Sequence, residues 1–65
     1  MPVIKIKGMS CRHCVMAVTR VLEGIEGVSN VRVDLEKGEA SYDEEMPVDM
    51  ERVRDGVKRA GYEVE

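Results

Sequence analysis

The sequence contains no Phe and no Trp, and its only aromatic side chains are Tyr42 and Tyr62. With so few wide planar side chains there is little platform on which bases could stack, which argues against nucleic-acid binding. His13 is the only histidine, no nucleophile elbow or Gly-rich phosphate loop is present, and catalytic residues are therefore expected to be none. No apolar run approaches the ~20 residues needed to cross a bilayer. The N-terminus, Met1-Pro2-Val3-Ile4-Lys5-Ile6-Lys7, lacks the basic-then-apolar pattern of a signal peptide. Neither secretion nor direct membrane insertion is expected, and a reducing cytoplasm is the default location. Carboxylates are missing too from the first third of the chain, since none precedes Glu23.

Within 65 residues the chain can build one domain, taken as 1–65. A chain of this size buries only about 60% of the surface its unfolded form exposes, so a large catalytic cleft is not expected. Charge is unevenly placed. Residues 1 to 32 carry five positive and two negative side chains, a net +3, whereas residues 33 to 65 carry five positive and eleven negative, a net −6. The whole is acidic at −3, yet the region holding both cysteines is locally basic.

Hydrophobic periodicity divides the chain into six elements. Val3 to Lys7 alternates apolar and charged residues, the period of a half-buried strand. From about Arg12, Val15, Val18, Leu22 and Ile25 recur at steps of three or four and define one helical stripe, with Arg12, Met16 and Arg20 on another face. Ser10 is the candidate N-cap, and Gly24 and Gly27 are candidate stops through the left-handed conformation. Val31, Val33 and Leu35 alternate with charged residues, and Lys37-Gly38 turns the chain into Ala40 and Tyr42, a hairpin. A second stripe of Met50, Val53, Val57 and Ala60 starts among acids, ends among bases and closes at Gly61. Tyr62 and Val64 then begin a last short strand.

The order βαββαβ predicts an α+β ferredoxin-like sandwich, a four-stranded antiparallel sheet with two helices on one face. Followed up and down the sheet, the Gly8 to His13 loop, the Lys37-Gly38 turn and the Gly61-Tyr62 turn reach the same end, which places Tyr62 near the cysteines. RNA-recognition modules share this element order. Their central strands need aromatics, whereas the strands here read Val3-Ile4-Lys5-Ile6-Lys7 and Glu39-Ala40-Ser41-Tyr42-Asp43.

The two cysteines form Cys11-Arg12-His13-Cys14 where a strand hands over to a helix. A disulfide between them would close a loop too short to stabilise the fold appreciably. Exposed amides at a helix N-terminus favour thiolates instead, but a dipole effect of about 0.3–1 kcal/mol lowers a thiol pKa by less than one unit. A bound metal would complete deprotonation. Soft sulfur ligands select Cu(I), Zn(II) or heavier ions over Mg and Ca. Structural zinc takes four ligands, and the step of about 100° per helical residue turns His13 away from the sulfur pair. Cu(I) accepts two thiolates and fits better. His13 remains open as a third ligand, a proton donor or a solvated loop residue.

The segment Gly8-Met9-Ser10-Cys11-Arg12-His13-Cys14 resembles the G-M-x-C-x-x-C loop of the heavy-metal-associated domain family, and the resemblance spans essentially the whole chain. It is most similar to bacterial copper chaperones. The resemblance implies that Cys11 and Cys14 bind Cu(I) and pass it by thiolate exchange to the metal-binding domain of a copper-transporting P-type ATPase. It implies further that Met9 is a buried tether, that Tyr62 is the bacterial-type tyrosine beside the metal, and that copper-bridged homodimers form through facing loops. Ser10 stands where zinc and cadmium relatives often carry an acid, which favours copper.

Other readings accompany these. The metal site could belong to an isolated ATPase domain or to a mercury or zinc carrier, and a lone C-x-x-C is also the motif of a thiol-disulfide oxidoreductase. Met9 serves equally as core filler, and Tyr62 as packing at the core edge. Arg12 and Arg20, with Met16, are either ordinary surface residues or a basic patch that steers an acidic partner.

Overall fold

The structure, a computed structural model, describes residues 2–65. Strand β1, Val3–Lys7, turns Ile4 and Ile6 inward and its two lysines outward, as the alternation requires. Helix α1, Arg12–Glu23, buries Cys14, Val18 and Leu22, which stand one above another at steps of four. This differs from the stripe predicted from sequence. Val15 sits about 100° round the helix from Cys14 and is only half-buried, and Ile25 falls beyond the helix end.

The N-cap is Cys11, not Ser10: its backbone is extended, and its carbonyl accepts the first helical hydrogen bonds from the amides of Cys14 (3.1 Å) and Val15 (3.3 Å). No side chain caps this end, which leaves its amides free for other acceptors. At the other end, Gly24 is right-handed with φ −81°, and the left-handed glycine of this connection is Gly27.

Strand β2, Val28–Asp34, begins three residues earlier than its alternation suggests, because its register shifts between Ser29 and Arg32, where Asn30 has φ +50°. Such a bulge breaks the period of two that sequence reading depends on. Leu35 lies in the following turn. Strand β3, Glu39–Glu44, buries Ala40 and Tyr42. Ala40 lies opposite Ile4 on one side and Val33 on the other.

Helix α2, Met50–Arg59, is capped by Asp49, whose carboxylate accepts from the Glu51 amide at 2.9 Å, and it buries Val53 and Val57. It approaches α1 closely, since a Cβ on Gly56 would lie 2.7 Å from Val21 Cγ1. Strand β4, Glu63–Val64, pairs with the end of β1. The sheet order is β2-β3-β1-β4 with every neighbouring pair antiparallel, and the core gathers between one sheet face and both helices. The ferredoxin-like sandwich predicted from the element order is the fold observed.

The exit from α2 matters most for the site. Gly61 (φ +98°) follows the C-cap Ala60; its amide reaches the Lys58 carbonyl at 3.0 Å, and the Tyr62 amide reaches the Val57 carbonyl at 3.1 Å. These paired bonds form a Schellman motif, which satisfies the last helical carbonyls and fixes the direction in which Tyr62 leaves the helix. A Cβ on Gly61 would meet nothing within 4 Å, so any cost of adding one is conformational. We expect Gly61→Ala to cost about 1 kcal/mol, an amount typical of a left-handed non-glycine residue. Calorimetry should show a Tm lower by about 4–8 °C, and an unchanged Tm would refute the assignment.

Candidate metal centre

Strand β1 ends at Gly8, whose φ of +100° lets the chain turn sharply away from the sheet. A Cβ there would lie 3.3 Å from Tyr62 Cδ1, so any side chain at this position would crowd the tyrosine ring as well as strain the backbone. Met9 is half-buried and packs against the core. The turn after β2 joins the same end through the Ile6 amide, which donates to the Gly38 carbonyl at 2.8 Å. The three connections expected to converge do so.

Cys11 and Cys14 are free thiols with Sγ atoms 3.4 Å apart. They are unlike each other. Cys11, outside the first helical turn, is exposed, whereas Cys14 inside it retains 8% of its accessible surface. This asymmetry follows from the helix: Cys14 stands one turn before Val18 on the inward stripe, a place that the stripe of Val15, Val18, Leu22 and Ile25 expected from sequence did not give it.

The Cys14 thiol is held down from 9.0 to about 6, first by the Ser10 backbone amide, then by the Tyr62 hydroxyl and the Cys11 thiol, with burial opposing and the Cys11 amide adding a smaller contribution. These neighbours together favour the thiolate by more than the helix dipole alone could. The same contact raises the Tyr62 hydroxyl, because a phenolate could no longer donate to the sulfur; burial and the charge of both thiols act in the same direction.

At pH 7 Cys14 is mostly thiolate. Iodoacetamide labelling of the metal-free protein should therefore show a Cys14 midpoint near pH 6, displaced upward in Tyr62→Phe. A midpoint at 9.0 would contradict the geometry. The linked effect on stability has a definite sign. A pKa lower in the folded state means the unfolded chain binds more protons between about 6 and 9.0, so stability rises with pH across that window and is lost as pH falls through about 6.

Ser10, expected as a helix cap, instead contributes its backbone amide to Cys14, a role that its side-chain chemistry does not advertise. His13 is exposed, and among the described residues no group of three or more His, Cys, Asp or Glu side chains is placed to hold an ion. The histidine is not brought to the sulfur pair. Arg12, Met16 and Arg20 are all exposed on α1, with Met16 at 54% the largest apolar side chain open on that helix. Among the described residues, no helix is long and apolar enough to cross a membrane.

An open-faced α+β sandwich presenting one buried and one open thiol at a loop-to-helix junction is a scaffold built to display a sulfur pair. The chain belongs to the heavy-metal-associated domain family, whose sequence profile matches residues 3–63. It is 38% identical over 64 residues to the copper chaperone CopZ of Staphylococcus aureus, an alignment covering 95% of this chain and 93% of the relative. A solved CopZ metallochaperone matches with TM-score 0.87 and 34% identity over 98% of this chain and 97% of the other. A copper-binding domain from HMA7, a P-type ATPase, matches with TM-score 0.78 and 25% identity over 97% and 86%.

Proposed function

We propose that residues 1–65 form a single heavy-metal-associated domain that carries one Cu(I) on Cys11 and Cys14 and releases it by thiolate exchange. The observation that carries this reading is the thiol pair itself, with Sγ atoms 3.4 Å apart and, among the described residues, no His, Asp, Glu or further Cys placed beside it as a third ligand. Two soft anions satisfy Cu(I) but leave zinc short of its usual four ligands. The open Cys11 side also admits an incoming sulfur. Exchange then proceeds through a three-sulfur intermediate: the partner thiolate bonds to copper, a bond to one resident cysteine breaks, and that sulfur keeps its electron pair, with no change of oxidation state.

Roles for the surrounding residues follow. Met9 anchors the loop, the Ser10 amide and the Tyr62 hydroxyl hold Cys14 as thiolate, and Tyr62 shields the ion. His13 is solvated. The proposed recipient is the metal-binding domain of a copper-transporting P-type ATPase in the cytoplasm, docked against Arg12, Met16 and Arg20 through an acidic surface. The likeness to a copper-binding ATPase domain and the copper-chaperone names of the relatives support this choice. Copper-bridged pairing of two copies through facing loops uses the same open coordination position.

Reduced metal-free protein titrated with Cu(I) against a coloured chelator should bind one equivalent. The loaded protein should then transfer copper to a separate reduced dithiol domain faster than free chelator exchange allows. Tight binding without transfer would reduce the protein to a store. Accelerated reduction of insulin disulfides by the metal-free protein would instead make it an oxidoreductase.

A further inference from the structure

A groove of about 730 Å³ runs beside the metal loop, between α1 and the end of β2 with its following turn. Its helix side presents Arg12 and the exposed Met16, and its turn side presents Leu35, Asp34 and Glu36. Apolar side chains thus line both sides, with a cation on the helix side and carboxylates on the turn side. Asp34 uses one oxygen to accept from the Lys37 amide at 3.1 Å, while among the described residues neither Arg12 nor Glu36 enters an ion pair. The opposite charges line one groove without meeting.

We infer that this groove is a self-association surface, on which a second copy of the chain docks without metal. A two-fold axis running along the groove lays the helix rim of one copy over the turn rim of the other. Arg12 then meets the carboxylates of the second copy twice over, while Met16 of each copy packs near Leu35 of the other. An isologous contact requires a surface complementary to itself, and a strip with unlike charges on its two rims has that property. A uniformly acidic partner would satisfy Arg12 but press against Asp34 and Glu36. The groove thus favours a second copy over such a partner along its turn rim, and pairing here covers Met16, which makes self-association and partner docking compete.

An interface this small belongs to the weak class, burying less than about 1,200 Å², so association is expected at about 0.1–1 mM. Sedimentation equilibrium on the reduced protein, with a metal chelator present and at low salt, should detect it. The Cys11→Ser variant, which breaks the sulfur pair at its exposed member, should associate equally, which separates this contact from a copper bridge. Arg12→Glu and Glu36→Arg should each weaken pairing at least about tenfold, by setting like charges together at two places, and combining them should restore it. Salt should weaken it as well. A monomer at 2 mM, association that needs copper, indifference to either single reversal, failure of the combined variant to recover, or occupation of the groove solely by an added acidic protein would each overturn the inference.

Discussion

Cys14→Ser should lower Cu(I) affinity by roughly three decades or more, and Cys11→Ser by a comparable amount. The scale comes from thiolate-rich metal sites, where apparent binding is on the order of 10–16 kcal/mol; losing one of two sulfurs removes about 4 kcal/mol or more, and 1.4 kcal/mol is tenfold. The two variants should nonetheless differ in kind. Serine at position 14 would place a hydroxyl on the inward stripe beside Val18 and Leu22, so it should also destabilise the metal-free fold. Serine at exposed position 11 should leave that fold nearly untouched. Chelator competition read with thermal melts of the apo-proteins separates the two effects. Undiminished affinity in either variant would refute the two-sulfur site.

Tyr42→Ala should abolish folding or nearly so. Tyr42 is the largest fully buried side chain, at 0% exposure, and it sits between the sheet and α2 with its hydroxyl donating to Met50 Sδ at 3.5 Å. Truncating a buried aromatic costs about 3–5 kcal/mol. A chain of this length has a total stability of only about 3–10 kcal/mol. By contrast, Tyr42→Phe keeps the ring and gives up only a hydrogen bond to a weak thioether acceptor, so a change within about 1 kcal/mol is expected. Burial, with a smaller contribution from Glu44, raises the Tyr42 hydroxyl above 10.0. Stability associated with the neutral phenol is present below 10.0 and lost as pH rises through the elevated value, so Tyr42→Phe should better resist alkaline unfolding. Circular dichroism melts across the alkaline range would show this, and identical alkaline behaviour of the two proteins would contradict it.

These outcomes depend on different ranges of interaction. The alternation in β1 and β3, the four-step stripe of α2 and the Cys11-to-Cys14 spacing are local regularities, and each was visible in residue order. Local signals failed where a neighbour far along the chain decided the backbone. Val28 and Ser29 read as loop because the bulge at Asn30 breaks the alternation, yet they pair with Glu44 and Asp43. The helix starts at Arg12 as its period indicates, but the N-cap is Cys11 and not Ser10, after a loop that turns at Gly8 against the ring of Tyr62.

Residue order alone therefore determined the sequence of elements, the ferredoxin-like topology and the sulfur pair at a helix start, because periodicity and handed crossovers operate within a few residues or through general chain geometry. Only the folded molecule decided that Cys14 is sheltered and Cys11 open, that a backbone amide and Tyr62 hold one sulfur as thiolate, and that Arg12 lines a groove with Glu36. Apart from the Ser10 amide, which is a near neighbour of Cys14 in the chain, those are meetings between segments tens of residues apart. Their distances follow from how the layers pack, and no local pattern encodes them.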